Sequence, residues 1–243
     1  MSNPLVSIIT PSLNQGKYIE DLISCIKRQA YRNYEHIIID GGSNDGTLDI
    51  LKKHESSYNM IWHSEPDPGM YYAVNKGLKL AKGQILAYLN CDDLYFPWTL
   101  SVIVKNMEFT DFVFGDVVRC DENYNSAWLQ FFPPFHEEFY QNVGIIAQPT
   151  VFFSRRIYEH LGGFDAARYK YIADCDYWLK SAAAGFRPQK IYEFLAVQRD
   201  HSEALSARNI SKVRDELASL RRQYGNTPTI KMALQRLRRP ARL

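Results

Sequence analysis

The sequence has little cysteine, with four residues in 243: Cys25, Cys91, Cys120 and Cys175. No two of them form a Cys-X-X-Cys pair and no histidine cluster lies beside them, so a zinc site or a dithiol redox motif is not expected. Isolated cysteines are typical of proteins in a reducing compartment. The cysteines therefore indicate a location rather than a chemistry.

A long apolar run is also missing. No stretch approaches the roughly 20 apolar residues of a membrane-spanning helix. Residues 1–4 lead directly into a strand-like segment, without the basic start, apolar stretch and cleavage site of a secretory signal. We expect a cytoplasmic protein, attached at most to the inner face of a membrane.

Glycine-rich phosphate-binding loops are absent as well. The loop after the first predicted strand, residues 11–17, has one glycine and no arginine. It matches neither the G-x-G-x-x-G turn of a dinucleotide-binding oxidoreductase nor a P-loop. It also lacks the basic, glycine-rich loop with which a nucleotidyltransferase would hold a triphosphate. The formal net charge is only +2, and we expect no nucleic-acid partner.

Strand and helix patterns alternate over the first ninety residues. Apolar runs predict strands at residues 6–10, 35–40, 60–62 and 84–89, with helical periodicity between them. This alternation predicts an α/β fold with a doubly wound, mainly parallel sheet flanked by helices. Asn14, in the loop before the first helix, is a candidate helix cap.

Carboxylates follow two of these predicted strands. Asp40 ends the second strand, and Asp92 and Asp93 follow the fourth. The carboxyl ends of parallel strands face one crevice, where ligands of open α/β sheets bind. Clustered carboxylates are costly there unless they meet a cation or hydrogen-bond donors. A divalent metal with a diphosphate would compensate them; a solvated turn is the alternative.

The second half of the chain is less regular. Residues 128–147 are aromatic-rich, which is typical either of loops lining a substrate groove or of a mixed core layer. Residues 203–224 carry apolar side chains at intervals of three and four, which predicts an amphipathic helix. We favour its packing on the domain over a coiled-coil dimer. The basic end, residues 231–243, predicts either a lipid-surface helix or a disordered tail.

The order of these elements, together with a series of short motifs, resembles the family 2 glycosyltransferases of the kind found in bacterial surface polysaccharide biosynthesis. Their fold is called GT-A. The matching segments are residues 6–14, 40–47, 64–71, 75–77, 89–93, 148–150, 162–165, 173–179 and 199–201. The resemblance implies a catalytic domain at residues 1–202, with a nucleotide-sugar half (1–93) and an acceptor half (94–202). Residues 203–243 form a helical and basic extension.

The resemblance also implies an inverting sugar transfer from a nucleoside-diphosphate sugar, with UDP as the first expectation and GDP and dTDP behind it. Asp40 corresponds to the carboxylate that binds the donor base, or else caps the glycine-rich loop. The other residues expected on the donor side are Pro11, Ser12, Asn14, Asp67, Lys76 and Asp92. For Lys76, a solvated surface lysine is an equal alternative.

For the metal, Mn²⁺ or Mg²⁺, the resemblance implies Asp93 as ligand, because the last aspartate of the family's Asp-X-Asp motif usually has this role. Cys91 replaces the first aspartate of that motif. His201 belongs to a late Arg-X-His motif and is expected near the metal and the diphosphate. A structural histidine is the alternative for His201.

Asp174 corresponds to the general base of the family, which takes the proton of the acceptor hydroxyl. Ala173 stands where the family usually has Glu, so the sequence does not say what orients the base. Asp176 is the competing base. Trp178 and Asp176 are expected on the acceptor side, although a buried Trp is more often part of the core. Cys175, Tyr177 and Trp178 would supply an apolar setting that raises the pKa of Asp174.

Two questions stay open at this point. The acceptor is expected to be a lipid-linked saccharide, but a protein or small-molecule acceptor fits the sequence too. Ala173 also fits a second class of protein, a catalytically inactive sugar-nucleotide binder or scaffold of a polysaccharide assembly complex. The presence of four aspartates argues against this alternative: Asp40, Asp92, Asp93 and Asp174.

Overall fold

The computed structural model describes residues 3–135 and 146–224. In these residues nine strands form one sheet of order β3-β2-β1-β4-β8-β6-β9-β5, with β7 paired to β6. The strands are β1 (Val6–Ser12), β2 (Tyr34–Asp40), β3 (Met60–Ser64), β4 (Ile85–Tyr88), β5 (Leu94–Tyr95), β6 (Phe112–Asp121), β7 (Ala127–Gln130), β8 (Phe152–Ser154) and β9 (Gln189–Asp200). The helices are α1 (Ile19–Lys27), α2 (Thr47–His54), α3 (Met70–Leu80), α4 (Thr99–Asn106), α5 (Arg155–Leu161), α6 (Ala173–Ala183), α7 (Leu205–Arg208) and α8 (Ile210–Tyr224).

The first four strands are parallel, as the sequence predicts. Every residue of β1 and β2 is buried, which is typical of strands covered by helices on both faces. Ile8 and Ile38 belong to the apolar cluster with α1 and α4, whereas Ile9 and Ile37 belong to the cluster with α3 and α6. This alternation gives the molecule two cores, one on each face of the sheet.

The second half of the chain continues the same sheet with mixed strand directions. Strand β8 is antiparallel to both β4 and β6, while β9 is parallel to β6 and antiparallel to β5. The β6–β9 register shifts beside Gly115, where a Cβ atom would collide with Leu195. The sheet is therefore parallel in its first half and mixed in its second, which the sequence did not specify.

Helix α8 packs on the domain, the arrangement favoured over a coiled coil. Leu220 is buried and Leu217 packs against the core of α6. The two oxygens of Glu216 accept the backbone N–H groups of Lys170 and Tyr171 at 2.9 and 3.0 Å. No helix within residues 3–135 and 146–224 is both long and apolar enough to cross a membrane. The predicted basic tail lies outside the described residues, as does part of the aromatic segment.

Gly77 sets the distance between α3 and the sheet. It is buried in the helix, and a Cβ atom there would overlap Cγ2 of Ile9 and lie 3.1 Å from its Cγ1. The glycine in the sequence Asn75-Lys76-Gly77 is thus a packing requirement that brings the N-terminal part of α3 close to β1.

We predict that Gly77→Ala destabilises the protein by about 1–3 kcal/mol, because the methyl group overpacks against Ile9. Helix propensity alone would make Gly77→Ala stabilise the protein by about 1 kcal/mol. The sign of the change in unfolding free energy therefore distinguishes overpacking from propensity. Urea unfolding measures it, with Lys79→Ala on the exposed face of α3 as the matched control. A Gly77→Ala protein as stable as wild type would contradict the close approach of α3 to β1.

Candidate active site

The loops that follow β1 and β2 are tied together at the carboxyl edge of the sheet. The backbone N–H of Asn14 donates to Oγ of Ser43 at 2.7 Å. The side-chain Oδ1 of Asn14 accepts the backbone N–H of Asn44 at 3.0 Å. Asn14 has a φ of 52°, a left-handed conformation that asparagine tolerates. Asn14 is therefore a bridge between loops and not the cap of α1, which begins at Ile19 without a side-chain cap.

Asp40 is saturated with hydrogen bonds from the protein. It is fully buried, and its Oδ1 accepts two backbone N–H groups of its own loop, from Gly42 and Ser43, at 3.0 and 2.8 Å. Three serine hydroxyls complete its shell, those of Ser12, Ser43 and Ser64, at 3.1, 2.5 and 2.7 Å. Burial alone would raise the pKa of Asp40, but these hydrogen bonds together lower it.

This geometry supports the loop-cap alternative for Asp40 over direct contact with a nucleotide base. Five donors leave the two oxygens little capacity for a ligand N–H. Pro11 and Ser12 lie beside it in the buried end of β1. The carboxylate thus holds the loop in shape, and its contact with the donor base stays a prediction.

Asp67 lies at the open rim of the same crevice. Its Oδ1 accepts the N–H of Gly69 at 2.7 Å, and its Oδ2 lies 3.1 Å from where a Cβ atom on Gly41 would be. Burial and the nearby Asp40 raise the pKa of Asp67, against the hydrogen bond from Gly69. Leu13, which is 54% exposed, flanks Gly41. Because a Cβ atom at position 41 would press on the Asp67 carboxylate, the glycine lets Asp67 and Leu13 approach the backbone closely.

Lys76 contributes positive charge near this rim. Its ammonium forms an ion pair with Glu65, with 36% of the lysine side chain exposed. Lys76 is therefore neither free in solvent nor committed to a buried partner. An incoming anion would have to compete with Glu65 for it.

The adjacent aspartates after β4 have opposite environments. Oδ2 of Asp92 lies 2.9 Å from Nε2 of His201, and a fifth of the Asp92 side chain is exposed. Asp93 is only 3% exposed. Burial, followed by the charge of Asp92, raises the pKa of Asp93 well above its usual range, against the backbone N–H of Arg199. The two carboxylates therefore differ in exposure and in partners.

The expectation that Asp93 binds the metal stays a prediction, with Asp92 as the more exposed of the two adjacent acids. A metal ligand has to be reachable by the ion; a fifth of the Asp92 side chain is exposed, whereas Asp93 and the side chain of His201 are each 3% exposed. His201 reaches Asp92, not Asp93, and its Nδ1 is buried without a hydrogen-bond partner. The structure thus brings together Asp92 and His201 and directs Asp93 into the protein.

The donor groups present are compatible with Mg²⁺ or Mn²⁺. Within the described part of the chain, no group of three or more His, Cys, Asp or Glu side chains could hold a metal by itself. Ions of this type are commonly held by one or two carboxylates together with substrate phosphates. Asp92 and His201 fit such an open site, and the buried Oδ1 of Asn90 beside them also lacks a partner.

Arg199 forms part of the wall behind His201. Its guanidinium lies between the rings of Tyr18 and Tyr124, 5.0 and 4.9 Å from their centroids, and pairs with Asp21 at 3.3 Å. The Tyr18 ring also packs on His201, with 4.9 Å between centroids. Arg199 is thus a support for His201, since its charge is already paired within the wall.

Asp174 lies in the first turn of α6, where two tyrosine hydroxyls and a backbone N–H reach it. Tyr71 and the backbone N–H of Cys175 donate to its Oδ1 at 2.9 and 2.8 Å, and Tyr88 donates to its Oδ2 at 3.3 Å. Burial raises the pKa of Asp174, while the hydrogen bond from Tyr71 and those from Cys175 and Tyr88 oppose the rise. A raised pKa suits a proton acceptor.

Asp176 and Trp178 do not face an open surface. Asp176 is 1% exposed, pairs with Lys180 at 2.6 Å and accepts the hydroxyl of Tyr224 at 3.2 Å. Trp178 is also 1% exposed and packs edge-on against Phe112 at 5.1 Å. Their expected place on the acceptor side is therefore corrected: Asp176 fixes α8, and Trp178 belongs to the core.

The two central residues of the segment 162–165 also have a structural role, since both lie against Asn75. Asn75 exchanges two hydrogen bonds of 2.8 Å with the backbone of Phe164. A Cβ atom on Gly163 would overlap the Asn75 amide. The segment therefore joins α3 to the ring cluster beside Asp174.

Tyr71, Tyr88 and Gln148 are the site residues that sequence reasoning missed. Gln148 donates to the carbonyl of Tyr88 at 2.7 Å and lies 3.3 Å from the Asn90 amide. Tyr71 and Gln148 lie in segments that match the family motifs, but the sequence alone gave neither residue a role. Tyr88 was counted only as a strand residue.

Comparison with known proteins gives a consistent picture. Residues 7–162 match the profile of the family described as Glycosyl transferase family 2. The PGL/p-HBAD biosynthesis glycosyltransferase of Mycobacterium tuberculosis (strain ATCC 25177 / H37Ra) is 33% identical over 183 residues, which are 73% of this chain and 69% of the relative.

Two solved structures have the same fold. The mannosyltransferase PcManGT from Pyrobaculum calidifontis, in complex with GDP-Man and Mn²⁺, has a TM-score of 0.72 and 22% identity over 94% of this chain and 67% of its own. S. aureus TarS 1–349, in complex with UDP-GlcNAc, has a TM-score of 0.64 and 18% identity over 84% of this chain. This chain spans 60% of that TarS chain. At these identities the likeness shows the fold, which is GT-A.

We predict that Asp40→Ala destabilises the protein by about 3 kcal/mol or more, because it leaves buried donors unpaired. The effect depends on pH. Since the pKa of Asp40 is lowered by folding, its contribution is full above the unfolded value of about 3.9 and is lost as the pH falls through the folded value. Denaturant unfolding at pH 7 and at pH 3 should show the difference from wild type shrinking in acid. A variant of unchanged stability that binds nucleotide poorly would instead support base recognition.

Proposed function

We propose that this chain, which belongs to glycosyl transferase family 2, moves a sugar from a nucleoside-diphosphate sugar to an acceptor hydroxyl with inversion at the anomeric carbon. The observation that carries the proposal is the presence of two carboxylates, each partly exposed and each held by different partners. Asp92 is held by His201 and is accessible, while Asp174 is held by tyrosines and has a raised pKa.

The donor is expected across the carboxyl ends of β1, β2 and β4. Leu13 and Asp67 flank the backbone of Gly41 at this edge, and Lys76 supplies positive charge on the same side. UDP is the first expectation for the nucleotide. A UDP-sugar is bound in TarS and a GDP-sugar in PcManGT, so the base has to be determined by experiment.

The leaving diphosphate develops negative charge, and the residues that would compensate it lie after β4 and β9. Asp92 and His201 would hold Mg²⁺ or Mn²⁺ together with the phosphate oxygens. The metal supplies Lewis acidity, which stabilises the diphosphate as it leaves. Asp93 is buried and accepts the backbone N–H of Arg199.

Asp174 is the proposed general base. An inverting displacement needs one group to remove the proton of the acceptor hydroxyl as its oxygen attacks the anomeric carbon. Asp174 is partly exposed, whereas the competing Asp176 is buried in an ion pair with Lys180. The geometry therefore favours Asp174.

The acceptor is proposed to be a lipid-linked saccharide used in polysaccharide assembly. The support is the basic segment 231–243 in the sequence, which would bring the enzyme to the inner face of an anionic membrane. A catalytically inactive sugar-nucleotide binder is the alternative, and turnover separates the two.

We predict that Asp174→Asn lowers the rate of sugar transfer at least about a hundredfold, because the amide cannot accept the proton. Binding of UDP with Mn²⁺ should not change, since Asp174 is not placed on the diphosphate. The two measurements are turnover of a radiolabelled donor and calorimetric titration. Near wild-type turnover of this variant would contradict the assignment of the base.

We also predict that Asp92→Asn weakens the Mn²⁺-dependent part of UDP binding at least about tenfold, since it removes a carboxylate ligand. The matched control is Asp93→Asn, the same change one residue on. It should retain most of the metal-dependent affinity, because the Asp93 side chain is buried behind the more exposed Asp92. If Asp93→Asn weakened the Mn²⁺-dependent binding of UDP more than Asp92→Asn does, calorimetry would favour Asp93 as the metal ligand.

A further inference from the structure

We propose that Tyr71 and Tyr88 are the positioning residues of Asp174, with Tyr71 anchoring one carboxylate oxygen so that the other is presented to the acceptor hydroxyl. This inference rests on the proposed function, because it concerns how the base of that reaction is oriented. Tyr71 lies in the first turn of α3, and Tyr88 is the last residue of β4. Both come from outside the helix that carries Asp174.

The need for such residues follows from position 173. Ala173 is fully buried in the apolar cluster around α6, so the residue next to the base offers no polar side chain. The terminal torsion of an aspartate side chain has broad, weak preferences. A base that turns away from its substrate loses much of its catalytic effect, because the effect depends on geometry.

The hydrogen bonds on the two carboxylate oxygens are unequal. Oδ1 accepts the Tyr71 hydroxyl at 2.9 Å and the backbone N–H of Cys175 at 2.8 Å. Oδ2 accepts the Tyr88 hydroxyl at 3.3 Å, which is a longer and weaker bond. Oδ1 is therefore fixed, while Oδ2 keeps the capacity to accept a proton.

The tyrosines themselves are held firmly. Each is 2% exposed, and both rings pack on Phe164, at 5.6 and 5.5 Å between centroids. The Tyr71 hydroxyl also lies 3.4 Å from the carbonyl of Tyr171. Having one proton to donate, it directs that proton to the closer Asp174. Packing of the rings thus holds the two hydroxyl groups in place, and the hydroxyl groups orient the carboxylate of Asp174.

The proton inventory of the step is simple. The acceptor O–H bond breaks and its proton passes to Oδ2 of Asp174, while the acceptor oxygen forms a bond to the anomeric carbon. The bond between that carbon and the diphosphate oxygen breaks, and its electron pair leaves with the diphosphate. Burial raises the pKa of both Tyr71 and Tyr88 well above the usual range, so both keep their own protons and remain donors.

The test is a ¹³C NMR titration of the Asp174 carboxyl in the full chain, assigned by its loss in Asp174→Asn. In Tyr71→Phe the ring stays and only the hydroxyl is lost. Because that hydroxyl stabilises the charged carboxylate, its removal should raise the pKa of Asp174 by about one unit. The thiol of Cys175, the remaining titratable group that contacts Asp174, is unchanged in this variant.

Two further variants complete the experiment. Tyr88→Phe should shift the same titration in the same direction but less, since its bond is longer, and it serves if Tyr71→Phe fails to fold. Tyr72→Phe removes an exposed hydroxyl from the adjacent residue of α3 and should shift nothing. The acid limb of kcat/KM should move to higher pH in Tyr71→Phe, with turnover lowered about tenfold or more.

An unchanged carboxyl titration in Tyr71→Phe and Tyr88→Phe would overturn the proposal, whatever the activity. A loss of turnover without a shift of the titration would also overturn it, because the tyrosines would then act only by packing. Absence of sugar transfer by the wild-type protein would refute the proposed function instead. The NMR titration would still decide whether the tyrosines control Asp174.

Discussion

Negative charge gathered at the carboxyl edge of a buried sheet is the constraint on which the rest of this structure depends. Parallel strands end together, so the residues that follow β1, β2 and β4 share one crevice. Each carboxyl group there has to be compensated or neutralised. The protein compensates Asp40 with serine hydroxyls and loop N–H groups, pairs Asp92 with His201, and buries Asp93.

This division separates structural from chemical carboxylates. Asp40 and Asp93 look alike in the sequence, as acids at strand ends, yet the first shapes a loop and the second is buried against the backbone of β9. Asp92 and Asp174 are the two that remain accessible. They come from different parts of the chain, and the ring cluster of Tyr71, Tyr88 and Phe164 couples β4 and α3 to the helix that carries Asp174. The proposed base is thus held by a packed unit that includes the strand leading to Asp92.

Much of the fold could be predicted from the sequence, because the apolar runs of the first half encode strands covered on both faces. The motifs also led to the correct family. What could not be predicted is which of two adjacent acids faces solvent, since their partners, His201 for Asp92 and Arg199 for Asp93, lie more than a hundred residues away. The roles of Asp176 and Trp178 were missed for the same reason: their partners, Tyr224 and Phe112, are distant in sequence.

The central claim is that the accessible acid after β4, paired with a histidine from the far end of the chain, forms the place where metal and diphosphate meet. Anomalous diffraction from crystals grown with UDP and Mn²⁺ tests it most directly. The account predicts one manganese peak in bonding contact with the Asp92 carboxylate and the His201 imidazole, with diphosphate oxygens on its open side. A peak bound by Asp93, or a diphosphate seated away from the carboxyl edge of the sheet, would contradict it.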